Sequence, residues 1–336
     1  MKKQNKYINV EDFQQDNYPY TFIIGARGVG KTISSLKDKI KRYYKTGEMF
    51  IYLRRSQTEI ETTNFNLQLL DKLTGLKITR GKLGEGRNKP ECLFVNGQPV
   101  AYLLALSTAA KFKSNDYSNV SEIVYDEFID PRGRELKHET KLFLNFAMTV
   151  FRDFTKFKAL FLANATNLYN CYFLDLEVMP TKRITKFSKL GIKIVMYEMS
   201  DELFHEHANS YLGRLVEHVE GENGSSLHND FDNEYNDFLV SLSNKAKYYA
   251  TLKLNGQQYG LYNDEGAFVV TQKVDPHFKR KYAVTIGDTA DDFPNVDYKF
   301  IQQLISNFKA TMLFFTDVKS RSNWIRFFKA PYSSER

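Results

Sequence analysis

Cysteine is nearly missing. Cys92 and Cys171 are the two in 336 residues, too few for a disulfide framework, and neither has a second Cys or a His at metal-binding spacing. Two reduced structural thiols are expected, which suits the cytoplasm. No apolar run approaches the roughly 20 residues that cross a bilayer, and the opening Met1-Lys-Lys-Gln-Asn-Lys-Tyr7 lacks the apolar stretch of a secretory signal. The chain is therefore expected to be soluble, without a membrane partner, and to stay where it is made. Internal repeats and low-complexity segments are also lacking, so nothing indicates a repeat architecture. Acidic residues fall short of basic ones, 40 Asp+Glu against 47 Lys+Arg, for a net charge of +7. That balance suits a polyanionic partner without requiring one. The length leaves room for two domains with their own cores.

What is present begins with Gly25-Ala-Arg-Gly-Val-Gly-Lys-Thr32, directly behind the apolar run Tyr20-Thr-Phe-Ile-Ile24. It meets the phosphate-loop pattern G-x-x-x-x-G-K-[ST] at every fixed position, in a strand-loop-helix setting. The backbone N–H groups of Gly25, Ala26, Arg27, Gly28, Val29 and Gly30 can wrap a polyphosphate, and the helix N-terminus behind them favours negative charge. Lys31 can reach the β- and γ-phosphates and Thr32 can place its hydroxyl on Mg²⁺. Arg27 either contacts phosphate or decorates the surface.

Residues 1–197 alternate strands and helices. Ile33, Leu36, Ile40, Tyr43 and Tyr44 recur at near-helical spacing from Lys31 to Lys45, Gly47 supplies a stop, and Met49–Leu53 reads as the next strand. This order implies a mainly parallel sheet with ligands at the carboxyl ends of its strands, where Arg54 and Arg55 fall. From Thr140 to Phe151 the apolar residues make one helical stripe, followed by a strand at Ala159–Ala163. Residues 201 to 228 are mostly polar, as in a linker or small lid. Beyond them Lys247–Leu254, Asn255-Gly256 and Gln258–Tyr262 predict a β-hairpin, with Ala267–Thr271 and Tyr282–Ile286 extending its sheet.

A second constellation is Val120-Ser-Glu-Ile-Val-Tyr-Asp-Glu-Phe128, an apolar strand ending in two carboxylates. Asp126 suits the Mg²⁺ that bridges nucleotide phosphates. Glu127 suits a base that orients and deprotonates the attacking water. Asn164, at the end of another strand, either hydrogen-bonds a γ-phosphate or the lytic water or shapes the turn. Arg152, at the end of the Thr140–Phe151 helix, is either an arginine finger or a cation favoured by the macrodipole.

Together with Phe50-Ile-Tyr-Leu-Arg-Arg55, Lys113-Ser-Asn115, Val150-Phe-Arg152 and Ala163-Asn-Ala165, these motifs resemble the encapsidation ATPase of small podophages. The likeness runs closely and in order through residues 1–197 and is thinner downstream, where Gly213-Arg-Leu215 and the hairpin region are retained. It implies an α/β P-loop NTPase domain of the ASCE type over 1–197, a helical linker over 198–228, and a small α+β nuclease-like domain over 229–336. That last domain would be RNase H-like and inactive. It further implies ATP and Mg²⁺ as cofactors, Lys31, Thr32 and Asp126 on nucleotide and metal, Glu127 as catalytic base, and Arg152 offered to a neighbouring subunit. The implied partners are double-stranded DNA, further copies of the chain in a ring of pentameric type, the procapsid portal and a packaging RNA. The implied place is host cytoplasm and then the portal vertex.

Candidate DNA contacts are Lys111 and Lys113, ahead of the Asp-Glu strand, because a duplex held regardless of sequence needs cations more than base-reading groups. Lys319, Arg321, Arg326 and Lys329, interleaved with Trp324, Phe327 and Phe328, either join them or form an amphipathic helix with core aromatics and solvated bases. His205, His207 and His218 read as exposed histidines, and Asp288, Asp291 and Asp292 as a solvated turn. Two other functional readings stay open on the residues alone: a small-molecule kinase using the same loop, and a nucleotide-switched DNA-binding or scaffold protein. The kinase lacks a recognisable acceptor site, and a pure switch has no need of Glu127.

Overall fold

In the computed structural model, which describes residues 6–84, 89–112, 115–130, 135–152, 157–164, 170–220 and 239–329, the run ahead of the glycine-rich loop is strand β1 (Tyr20–Gly25). The chain divides into two units, Met1–Phe231 and Asp232–Arg336.

In the first unit, α1 (Lys31–Thr46) starts straight from the loop and stops at Gly47, whose left-handed backbone lets its N–H return to the Tyr43 carbonyl. There follow β2 (Met49–Arg54), α2 (Gln57–Thr62), α3 (Leu67–Thr74), β3 (Ile78–Lys82), β4 (Glu91–Val95), β5 (Gln98–Ala105) and β6 (Val120–Asp126). Next come α4 (Glu139–Val150), β7 (Ala159–Asn164), α5 (Cys171–Asp175), β8 (Ile184–Phe187), β9 (Ile192–Tyr197), α6 (Asp201–Ala208) and α7 (Tyr211–Glu220).

The sheet order among the described strands is β3-β4-β5-β2-β6-β7-β1-β9-β8. From β5 through β9 every neighbouring pair is parallel, and antiparallel strands close both edges. Strands buried on both faces account for the near-continuous apolar runs that the sequence shows. One face carries an aromatic cluster in which Phe22 stacks on Phe161 with ring centroids 4.1 Å apart, and Phe128, Phe143 and Tyr172 pack edge-on or tilted around them. Burying each such ring contributes roughly 1.5–3 kcal/mol. At the amino edge the buried Lys39 on α1 pairs with the buried Glu122 on β6 at 2.6 Å, bridged by Gln14. The helix behind the glycine-rich loop is thereby fastened to the strand that carries Asp126.

In the second unit β10 (Lys247–Leu254) and β11 (Gln257–Asp264) form the expected hairpin. Its turn residues Asn255 and Gly256 both take positive φ, as a two-residue turn of matching twist requires. β12 (Ala267–Thr271), β13 (Lys281–Ala283), α8 (Tyr298–Lys309), β14 (Leu313–Phe315) and α9 (Val318–Lys329) complete it, in sheet order β13-β10-β11-β12-β14. Leu252, Leu261, Ile301, Leu304, Phe315 and Trp324 fill its core.

Two expectations are corrected here. The strand expected over Tyr282–Ile286 ends at Ala283, and Ile286 opens a single tight turn that closes on Asp288. Asp288 is buried rather than solvated, because its carboxylate accepts from the backbone N–H groups of Asn255 and Gly256 and from the Thr285 hydroxyl. Asp291 and Asp292 are exposed. In the C-terminal helix Trp324 is fully buried and Arg321 is also buried, while the side chains of Lys319, Arg326 and Lys329 lie outside the described residues.

Candidate functional site

The sheet order sets β7 between β1 and β6, so the glycine-rich loop after β1, the carboxylates at the end of β6 and Asn164 at the end of β7 meet along one carboxyl edge. They line a cavity of about 270 Å³ formed by Gly28, Gly30, Lys31, Thr32, Ile33, Asp126, Glu127, Ala163 and Asn164. Gly28 and Gly30 take φ near +80 and +90°, a region closed to most side chains, and Gly30 there serves as the N-cap of α1. Val29 and Ala26 face inward and are buried.

Lys31 is buried, and its ammonium donates to the carbonyls of Gly25 (2.9 Å) and Ala26 (2.7 Å) and to Asn164 Oδ1 (3.2 Å). Burial lowers its pKa to about 8, against the opposing pull of Asp126 and Glu127. Thr32 donates its hydroxyl to Asp126 Oδ2 at 2.9 Å. The same oxygen accepts from the Tyr52 phenol at 2.7 Å and lies 3.5 Å from Arg54 Nη1. Burial and the neighbouring carboxylate push the Tyr52 phenol well above its ordinary pKa, so it stays a donor. Glu127 has a left-handed backbone, φ +52°, and its side chain is half exposed. Arg54 Nη2 pairs with its Oε2, so one guanidinium spans both carboxylates.

Arg152 stands exposed just past α4 and does not line the cavity of its own chain. Arg27 is exposed on the loop. Lys111 is exposed in a short 3-10 segment, Leu106–Phe112, and Lys113 lies outside the described residues. His205 and His218 are exposed, but His207 is partly buried and packs on the loop: a Cβ at Gly28 would lie 2.8 Å from its Cε1. That corrects the reading of all three as exposed, since α6 folds back over the loop. Sequence reasoning missed Tyr52, because a tyrosine within an apolar strand reads as core. The available signal was the period of two that puts Phe50, Tyr52 and Arg54 on one face of β2.

A parallel sheet bearing a G-x-x-x-x-G-K-T loop, with lysine, hydroxyl, paired carboxylates and an amide around one cavity, defines a P-loop nucleoside triphosphatase domain. The chain belongs to the podovirus DNA encapsidation protein (Gp16) family, whose model matches residues 1–330. It is 30% identical over 296 residues to the DNA packaging protein of Bacillus phage PZA, covering 86% of this chain and 82% of the relative. The structure of the bacteriophage Phi-29 viral genome packaging motor assembly contains a chain that is 26% identical, with TM-score 0.70, over 97% of this chain and 99% of that one. The N-terminal domain of the DNA packaging ATPase of bacteriophage phi29 is 29% identical, with TM-score 0.50, over 58% of this chain and 98% of that domain. By this membership the chain is a phage DNA packaging ATPase, and the kinase and passive-switch readings are set aside. No helix among the described residues is long and apolar enough to cross a membrane.

Proposed function

We propose that the chain hydrolyses ATP at this cavity and uses the energy to drive double-stranded DNA into a preformed procapsid. It works in a homo-oligomeric ring, of pentameric type, on the portal, with a packaging RNA as a further partner. The observation that carries the reading is the convergence of Lys31, Thr32, Asp126, Glu127 and Asn164 on one cavity, from the loop and two different strands. The strand order β2-β6-β7-β1-β9 supports assignment to the ASCE class, in which an extra strand separates the phosphate loop from the carboxylate strand. The ATPase domain spans 1–197, the linker or lid 198–228, and the C-terminal domain 229–336. The C-terminal domain is nuclease-like without the activity. In support, the Asp288 carboxylate is occupied by three donors, the Thr285 hydroxyl of its own turn and the Asn255 and Gly256 N–H groups of the hairpin turn.

Each residue has one task. Lys31 gives up carbonyl partners of its own loop for the β- and γ-phosphates. Asn164, on the Lys31 ammonium, orients the γ-phosphate or the water. Glu127 takes the proton of the attacking water. Arg54 engages its Oε2, which leaves Oε1 to face that water. Thr32 and Asp126 are oxygen donors 2.9 Å apart and suit a hard cation. They would hold Mg²⁺, which neutralises phosphate charge when bound. Tyr52 fixes the rotamer of Asp126. Arg152 stabilises transition-state charge on a neighbouring subunit, and Lys111 and Lys113 contact the duplex.

Tyr52→Phe removes one hydrogen bond to a carboxylate without changing ring packing. It is expected to raise the Mg²⁺ concentration for half-maximal turnover by about three- to tenfold, in line with roughly 1 kcal/mol or somewhat more for such a bond. A magnesium titration of ATPase rate measures it, and an unchanged midpoint removes Tyr52 from the metal site.

ATP hydrolysis with and without long duplex tests the function as a whole. Stimulation is expected, and duplex of two unrelated sequences should bind equally. With six or more phosphate contacts, affinity should fall about 10³-fold or more between about 50 and about 200 mM salt. A strong sequence preference with a shallow salt slope would favour a sequence-specific regulator instead.

A further inference from the structure

The catalytic carboxylate is carried on a backbone that its own side chain does not favour. Glu127 adopts φ +52°, a region that residues with a Cβ enter rarely and hold only where their surroundings over-determine it. On its N-terminal side Asp126 ends β6. On its C-terminal side the buried Phe128 donates its N–H to the Leu162 carbonyl at 3.2 Å, and its own carbonyl accepts from Arg55 Nη2 at 2.6 Å.

Arg55 is itself buried, and its Nε donates to Glu139 Oε2 at 3.0 Å. Glu139, at the first position of α4, is buried with it. Its carboxylate also accepts from the Tyr125 phenol (2.8 Å), the Tyr172 phenol (3.3 Å) and the Leu136 N–H (2.9 Å). A buried arginine–carboxylate pair of this kind gains little stability over apolar packing of the same volume. This one instead divides a fixed fork of donors, Nε to Glu139 and Nη2 to a single backbone carbonyl, one residue past the proposed base. The geometry has a counterpart on the other side of β2. Arg54 reaches the side chain of Glu127 and the adjacent Arg55 reaches the backbone behind it, so two successive residues of one strand end grip one segment from both sides.

We infer that Arg55 and Glu139 are positioning residues for hydrolysis: the pair holds the Phe128 carbonyl and thereby keeps Glu127 in its left-handed conformation, aimed into the nucleotide cavity. The inference rests on Glu127 as the base. It does not depend on DNA, ring formation or the second unit.

Arg55→Lys tests it in the full-length chain. A lysine keeps the charge beside Glu139 but presents a point charge in place of a fork, and cannot serve the carboxylate and the Phe128 carbonyl together. The expected result is a kcat lowered between about ten- and a hundredfold by loss of alignment, with the KM for ATP within about twofold of the parent. A core defect alone would lower the melting temperature without separating kcat from KM. In single-turnover measurements the loss should vanish when Arg55→Lys is added to Glu127→Gln, because the two act through the same carboxylate.

Glu139→Gln is the second variant. It keeps the shape of the side chain, weakens the hold on Arg55, and should give the same split with a smaller loss. If Glu127→Gln turns over normally, the reading of the base fails. If Glu127→Gln is inactive while Arg55→Lys and Glu139→Gln are normal, or raise KM in step with the loss of kcat, the positioning role fails. Should neither variant fold, the pair is a core element and the assignment is wrong.

Discussion

Glu127→Gln is expected to bind ATP as tightly as the parent and to hydrolyse it about 10²- to 10⁴-fold more slowly, the range assigned to a positioned general base. The amide matches the carboxylate in shape and can still accept from Arg54, so the surroundings of the cavity persist. What it cannot do is take a proton. Lys31→Ala should give the opposite pattern, with binding lost at the outset. On the proposed reading the buried ammonium leaves the carbonyls of Gly25 and Ala26 for phosphate, and Arg27, exposed on the same loop and not lining the cavity, does not replace it there. Equilibrium binding and single-turnover hydrolysis on the two variants separate the steps. Wild-type turnover by Glu127→Gln would remove the base assignment, and tight ATP binding by Lys31→Ala would remove the phosphate assignment.

Arg152→Ala should also bind ATP nearly normally, with turnover in assembled rings reduced about 10³-fold or more, the scale on which an arginine finger acts. The side chain is exposed and does not line the cavity of its own chain, so an effect of that size requires action across a subunit boundary. Mixing Arg152→Ala with Glu127→Gln subunits should then restore part of the hydrolysis that neither shows alone, since some interfaces pair an intact base with an intact finger. The measurement needs conditions that support rings, with DNA or portal present and mixed assembly verified. An inactive mixture in verified mixed rings, or normal turnover by Arg152→Ala there, reduces the residue to a cation at a helix end.

The features legible in the sequence were those encoded over short spans. A phosphate loop has fixed residues at fixed positions, a strand buried on both faces is a continuous apolar run, and the Asn255-Gly256 turn names its own conformation. Asp126, Glu127 and Asn164 stood out because each ends such a run. The features that escaped depend on contacts between distant residues. Asp288 looks solvated beside Asp291 and Asp292, yet its hydrogen-bond partners Asn255 and Gly256 lie 33 and 32 residues away. His207 lies in a polar stretch, and its packing on Gly28 exists only because α6 folds back over the loop. Arg55 and Glu139, 84 residues apart, carry no local mark that they share a hydrogen bond. Periodicity reports which face of an element is buried, but not which polar group awaits it there.

Helix α4 has a property that none of its residues shows alone. Its first residue, Glu139, is locked into the network behind Glu127, and Arg152 follows two positions beyond its last residue, Val150. Twelve residues of helix make a strut of about 18 Å, and a helix packed on a sheet transmits displacement with little bending. If Glu127 is the base and Arg152 the finger proposed above, a rearrangement at the one has a direct mechanical route to the other. On that proposal, a ring would need no separate signal to pass its turn along. The firing of one site and the arming of its neighbour would then be two ends of the same rigid rod.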